Sequence, residues 1–151
     1  LIVKAHALFL KHYELSRSQY TRLYPHIIEV LAALVKQDIR LAIITNKPQQ
    51  FTPALLQKMH IDHFFSCVLS GDSLPEQKPS PLPLCYAQQY FKLHKNECLM
   101  VGDSSNDIYA AQSAGIKSVC VSYGYNHGND SRALPADYHI DEMLQLLQLI
   151  Q

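Results

Sequence analysis

The sequence carries no excess charge of either sign: 13 Lys and Arg stand against 13 Asp and Glu, with no run of basic residues. Nucleic acid and anionic membrane surfaces call for concentrated positive charge, so neither is an expected partner. Long apolar stretches are also missing. Runs such as Leu41-Ala42-Ile43-Ile44 fall far short of the roughly 20 residues that span a bilayer, so a soluble chain is expected. The four cysteines, Cys67, Cys85, Cys98 and Cys120, form no Cys-x-x-Cys pair. Three of them sit in apolar, strand-like runs, where a buried thiol packs as a small hydrophobe, and a reducing, cytoplasmic compartment fits that usage. The sequence opens at Leu1 without an initiator Met and without the basic, apolar and small-residue regions of a signal peptide. This layout suggests an incomplete polypeptide.

What is present is enough for one core. With 151 residues, 48% of them apolar, one compact domain is expected and two ordinary ones are not. Leu1, Ala5, Leu8, Phe9 and Tyr13 recur at intervals of three and four, which suggests helix up to about Tyr20. After Tyr24-Pro25, residues 27–35 have helical period and lead into a β-branched strand over 40–45. Further helices are predicted over 48–59, 81–93 and 108–114 and from Glu142 onward, alternating with strands over 67–70, 98–101, 118–121 and 138–140. Alternation of this kind predicts an α/β fold, a parallel sheet with helices on both faces. Ligands of such sheets bind beyond the carboxyl ends of the strands, so those junctions are where chemistry is expected.

Three junctions are polar in a coordinated way. At Thr45-Asn46-Lys47-Pro48 a hydroxyl, an amide and the N–H groups of a helix start converge, which suits a phosphate; either Thr45 or Asn46 also suits a plain helix cap. Lys78-Pro79-Ser80-Pro81 puts a cation before a helix N-terminus, where a lysine is unfavourable unless an anion is bound nearby. The ordinary alternative is an exposed surface lysine. Gly102-Asp103-Ser104-Ser105-Asn106-Asp107 breaks an apolar strand onto two carboxylates. Gly102 permits a tight turn, Asp103 is a hard oxygen ligand, and Asp107, one helical turn on, can orient a metal-bound water or Lys78. Here the ordinary alternative is Ser104 or Ser105 as a cap, with Asp107 a favourable first-turn charge. His60 and His63, spaced i, i+3, have no third ligand beside them and fit a helix-to-strand turn. Tyr123, Tyr125 and His127 fit either a substrate mouth or aromatic packing over the sheet edge.

In order and spacing, Thr45, Lys78 and Gly102 to Asp107 resemble the second, third and fourth motifs of the haloacid dehalogenase superfamily of phosphohydrolases. Tyr24-Pro25, Leu41 to Pro48, Gly71-Asp72-Ser73-Leu74-Pro75, Lys78-Pro79 and Val121-Ser122-Tyr123-Gly124-Tyr125-Asn126 most resemble the bacterial phosphoglycolate phosphatases within it. The resemblance implies a three-layer Rossmann-like core over residues 21–151 and a remnant of a helical cap over residues 1–20. It also implies a magnesium-dependent phosphomonoester hydrolase acting on a small phosphorylated metabolite, with 2-phosphoglycolate as the substrate. Thr45 and Asn46 then hold the phosphoryl oxygens, Lys78 neutralises them, Asp103 ligates Mg2+ and Asp107 lies in the shell behind it.

The chain departs from that pattern in two ways. His26 and Asp38 stand where the family usually has glycine, at a cost of about 1 kcal/mol each if the backbone is kept. More consequential, no Asp-x-Asp-Gly-Thr stretch occurs, and in the family that stretch supplies the nucleophile, the general acid and base, and part of the metal site. Its strand is central in the family fold, between those ending at Thr45 and Gly102, so two inner edges are expected to lack partners. The chain by itself is therefore expected to be inactive and a weak magnesium site. The alternatives are a non-catalytic gene remnant, or the C-terminal part of a split phosphatase acting on another sugar phosphate.

Overall fold

A computed structural model describes residues 22–150 of the chain. The helices expected before Tyr20, and the cap remnant assigned to residues 1–20, lie outside the described residues.

Helix α1 (Ile27–Lys36) buries Ile27, Val30, Leu31 and Leu34, the i, i+3, i+4, i+7 stripe of a one-sided helix. The chain enters and leaves it through left-handed residues, His26 at φ 63° and Asp38 at φ 58°. These are the two positions at which the resemblance leads one to expect glycine, and a positive φ favours glycine physically. Strand β1 (Leu41–Ile44) follows, buried at every residue. Next come α2 (Thr52–Lys58), β2 (Phe65–Leu69), α3 (Leu82–Phe91), β3 (Leu99–Gly102), α4 (Ser105–Ala114), β4 (Lys117–Val121), β5 (Tyr138–Ile140) and α5 (Leu146–Leu149). The strand and helix order is that of the sequence reading, with shifted bounds. α2 starts four residues after Pro48, and in the intervening turn the Gln49 N–H donates to the Asp72 carboxylate at 2.7 Å. α4 starts earlier than expected, at Ser105, because Ser104 and Asp107 close its first turn.

All strand pairs are parallel, but they fall into two sets, β1 with β2, and β3 with β4 and β5. Among the described residues, β1 pairs only with β2 and β3 only with β4, so each has one edge without a ladder partner. Both strands are nevertheless core. Leu41, Ala42, Met100 and Val101 are at most 1% exposed, whereas β2 alternates and leaves Val68 39% exposed. α1 and α5 pack together, and α3 packs on α4. Because the strands of each set are parallel, the loops after Ile44 and Leu69 share one end, as do those after Gly102 and Val121, and Lys78, bonded to both Ile44 and Asp107, brings the two ends together. That is where the polar junctions meet.

Candidate active site

Lys78 is not a surface lysine. It is 7% exposed, and its Nζ donates to the Ile44 carbonyl and to Asp107 Oδ1, each at 2.6 Å. One ammonium thus ties the end of β1 to the first turn of α4. Asn46 supports it from behind, donating from Nδ2 to the Lys78 carbonyl at 2.7 Å. Asn46 Oδ1 is buried without a partner, so one polar atom at the end of β1 has its hydrogen bond unmade. Thr45 continues directly from Ile44; its N–H joins the Leu69 carbonyl at 2.9 Å and its hydroxyl accepts from the Lys47 N–H at 3.2 Å.

Asp107, 2% exposed, both meets Lys78 and closes the first turn of α4. Oδ1 accepts from Lys78, while Oδ2 accepts from the Asp103 N–H (3.2 Å), the Ser104 N–H (3.1 Å) and the Ser104 hydroxyl (2.8 Å). The capping interaction therefore fixes the carboxylate that orients the lysine. Gly102 is needed for a different reason from the expected tight turn. Its backbone is not left-handed, but a Cβ there would lie 2.2 Å from Asp107 Cβ. The absent side chain lets α4 sit against the end of β3.

Asp103 is 9% exposed, and its Oδ2 accepts from the Tyr125 N–H at 2.7 Å. Burial, then repulsion by Asp107, push its carboxyl up to about 7, against the opposing pull of the Tyr125 amide and Lys78. The local charge is out of balance, since two buried carboxylates share one ammonium. The folded chain keeps the Asp103 proton to about pH 7, whereas the unfolded chain releases it near the ordinary 3.8. Folding stability should then fall as pH rises across that window. Asp103→Asn should accordingly be more stable than the unaltered chain at pH 8 in EDTA, by about 1 kcal/mol or more, with the difference vanishing near pH 4. Urea unfolding at the two pH values measures it; equal stability at pH 8 would mean the carboxylate is better solvated than its burial implies.

Sequence reasoning singled out the loop after β4 but not its contacts with Asp103 and α4. Gly124 lies against Asp103, Tyr125 supplies the amide just described, and the buried Asn126 accepts from the Ser105 N–H at 3.1 Å. The sequence signals were position after a strand, the aromatic residues and the resemblance of the segment, and none of them marks Gly124 or Asn126 as a contact. The aromatic alternatives separate here. Tyr123 packs edge-on against Tyr24, with ring centres 4.8 Å apart, and points its hydroxyl at Met143 Sδ, whereas Tyr125 is 41% exposed beside His127. His63 stacks on Phe64 in the turn before β2. Among the described residues, no three His, Cys, Asp or Glu side chains converge as a metal site, and no helix is long and apolar enough to cross a membrane.

Known proteins share this architecture. A 1.90 Å crystal structure of a predicted phosphoglycolate phosphatase from Haemophilus somnus superimposes with a TM-score of 0.85 at 42% identity, covering 87% of this chain and 59% of that one. The phosphoglycolate phosphatase of Nitrosococcus oceani is 43% identical over 150 residues, which make up 99% of this chain and 67% of the relative. That of Vibrio vulnificus is 41% identical over 150 residues, 99% of this chain and 66% of the relative. The chain thus spans about two thirds of the length of these curated relatives. The profile of the haloacid dehalogenase-like hydrolases matches residues 2–121, a stretch that includes Thr45, Lys78, Asp103 and Asp107, and the chain belongs to that family.

Proposed function

We propose that this chain forms the phosphate-handling part of a magnesium-dependent phosphomonoester hydrolase whose substrate is 2-phosphoglycolate. The observation that carries the reading is the buried Lys78 ammonium, held between the Ile44 carbonyl and Asp107 with Asp103 alongside. A buried cation at a junction of strand ends, next to excess carboxylate, suits a dianionic phosphate bound together with a divalent metal. Similarity to the phosphoglycolate phosphatases of N. oceani and V. vulnificus supports the choice of substrate.

Magnesium fits the residues present as a partial site. It commonly takes one or two carboxylates and fills its remaining positions with water and substrate phosphate, and the uncompensated Asp103 charge provides one such ligand. Asp103 would hold it through Oδ1, since Oδ2 is committed to the Tyr125 amide. Bound there, magnesium would supply positive charge to the phosphoryl oxygens.

The rest of the mechanism falls to the chain's own groups. The Thr45 hydroxyl and the Asn46 N–H bind phosphoryl oxygens, and Lys78 offsets the charge that grows on them. Asp107 keeps Lys78 in place, and Asn46 holds the Lys78 backbone. The nucleophile is assigned to an Asp-x-Asp-Gly-Thr segment, which the 151 residues do not contain, lying between β1 and β3. Its first aspartate attacks phosphorus and the alkoxide of the substrate leaves with a proton from the second. Water then cleaves the aspartyl-phosphate to inorganic phosphate.

The test is phosphate release from 2-phosphoglycolate, with magnesium, by the chain alone and by the chain co-expressed with a strand carrying Asp-x-Asp-Gly-Thr. We expect none from the chain alone and turnover from the pair, abolished by Asp103→Ala. Turnover by the chain alone would overturn the assignment of the nucleophile. A soluble pair that binds 2-phosphoglycolate without turnover would favour the non-catalytic reading.

A further inference from the structure

The loop between β4 and β5 is mostly open to solvent, and from Ser122 to Asp130 only Asn126 is buried, at 5% exposure. Its side chain makes a tertiary bond, since Oδ1 accepts from the backbone N–H of Ser105, the first residue of α4. The two residues before it meet Asp103. A Cβ on Gly124 would lie 2.0 Å from Asp103 Cβ and 2.5 Å from its Oδ2, so only a glycine allows this approach. The Tyr125 N–H then closes on Oδ2 at 2.7 Å. On its far side the loop is tied down where the Asn129 N–H meets the Asn126 carbonyl at 2.8 Å and the Ser131 hydroxyl meets the Ser122 carbonyl at 3.2 Å.

We propose that Asn126 is a positioning residue: by fastening the loop to the start of α4 it holds the Tyr125 amide on Asp103 Oδ2, so that the carboxylate is presented to a divalent cation through Oδ1 in one orientation. The inference rests on Asp103 being the cation ligand. It goes further in naming a brace that touches neither metal nor substrate. Asp107 braces Asp103 from the other side through the Asp103 N–H, so the residue is held at both its backbone and its carboxylate. Groups that orient a metal ligand from behind commonly change affinity by 10- to 100-fold when removed.

Asn126 also satisfies a free N–H at a helix start, and a cap acts on stability alone. Affinity therefore has to be measured apart from folding. Manganese(II) alone is titrated into the full chain, with binding read from water-proton relaxation, and urea unfolding in EDTA is followed in parallel. Asn126→Ala should weaken manganese binding by roughly tenfold. Asn126→Asp, which keeps an acceptor for the Ser105 N–H, should bind at least as tightly as the unaltered chain. If the alanine variant does not fold, Asn126→Ser, polar but too short to reach Ser105, is read in its place with the same expectation. Manganese affinity within twofold of the unaltered chain in Asn126→Ala or Asn126→Ser, with stability lowered or not, would overturn the brace. Because the chain alone offers a weak site, manganese is carried to millimolar concentration; saturable binding that is unchanged by Asp103→Asn, or no binding by the unaltered chain even there, would overturn the ligand assignment beneath it.

Discussion

Lys78→Met should lower the stability of the chain by about 3–5 kcal/mol, the cost commonly found when one partner of a buried ion pair is removed. The side chains of Lys78 and Asp107 are 7% and 3% exposed and meet at 2.6 Å. Methionine fills much of the lysine volume, so little of the loss comes from a cavity. The loss comes from charge. Without the ammonium, Asp107 and Asp103 face each other in a site that water hardly reaches, and the Ile44 carbonyl loses its donor. Urea unfolding at pH 7.5 gives the value. The double variant Lys78→Met/Asp107→Asn should recover a large part of it, because the buried anion disappears together with its cation. A loss below about 1 kcal/mol in the single variant would mean that the pair is solvated, as surface pairs are. The proposed phosphate site would then lack its anchor.

The same pair shows what the sequence could reveal and what it could not. The alternation of strands and helices was legible because burial imposes a period. The α1 stripe at Ile27, Val30, Leu31 and Leu34 and the continuous apolar run of β1 each admit few other readings. Strand ends then pointed to Thr45, Lys78 and Asp103, since parallel strands deliver their following loops to one side. The individual contacts were not legible. Lys78 reaches a main-chain carbonyl at Ile44, and a carbonyl leaves no mark in a sequence. The Gln49 N–H meets Asp72, 23 residues away, in the turn that precedes α2. Nothing in Tyr123-Gly124-Tyr125-Asn126 states that it lies against Asp103. The pairing requires β4 to lie beside β3, with Gly102 opposite Cys120.

For His26 and Asp38 a family habit supplied what single residues could not. A histidine and an aspartate carry no clear sign of positive φ, yet both lie in the left-handed region. Each adds strain at an end of α1, a helix whose buried face makes up part of the core.

Gly102→Ala and Gly128→Ala are the same change in chemistry, and they should differ several-fold in effect. At Gly128 the backbone is left-handed, at φ 83°, and nothing lies within 4 Å of the added methyl. The cost there is conformational, about 1 kcal/mol. At Gly102 the methyl would sit 2.2 Å from Asp107 Cβ and 2.8 Å from its Cγ. Neither atom is the free end of a mobile side chain. The Asp107 carboxylate is fixed by Lys78, Ser104 and the Asp103 N–H, so it cannot rotate away without leaving them. Relief requires α4 to move off β3 by about an ångström, which stretches those bonds and opens the packing of the fully buried Ile108 in the same helix. Overpacking of a well-filled core costs about 1–3 kcal/mol, and the loss of buried hydrogen bonds to a charge adds to it. A total of about 3 kcal/mol or more is expected from urea unfolding, against about 1 kcal/mol for Gly128→Ala. Equal losses would mean that α4 yields easily and that contact with Asp107 does not set the end of β3. A larger loss at Gly102 would show that the close approach of α4 to the end of β3 is the constraint under which Asp103, Asp107 and Lys78 are assembled.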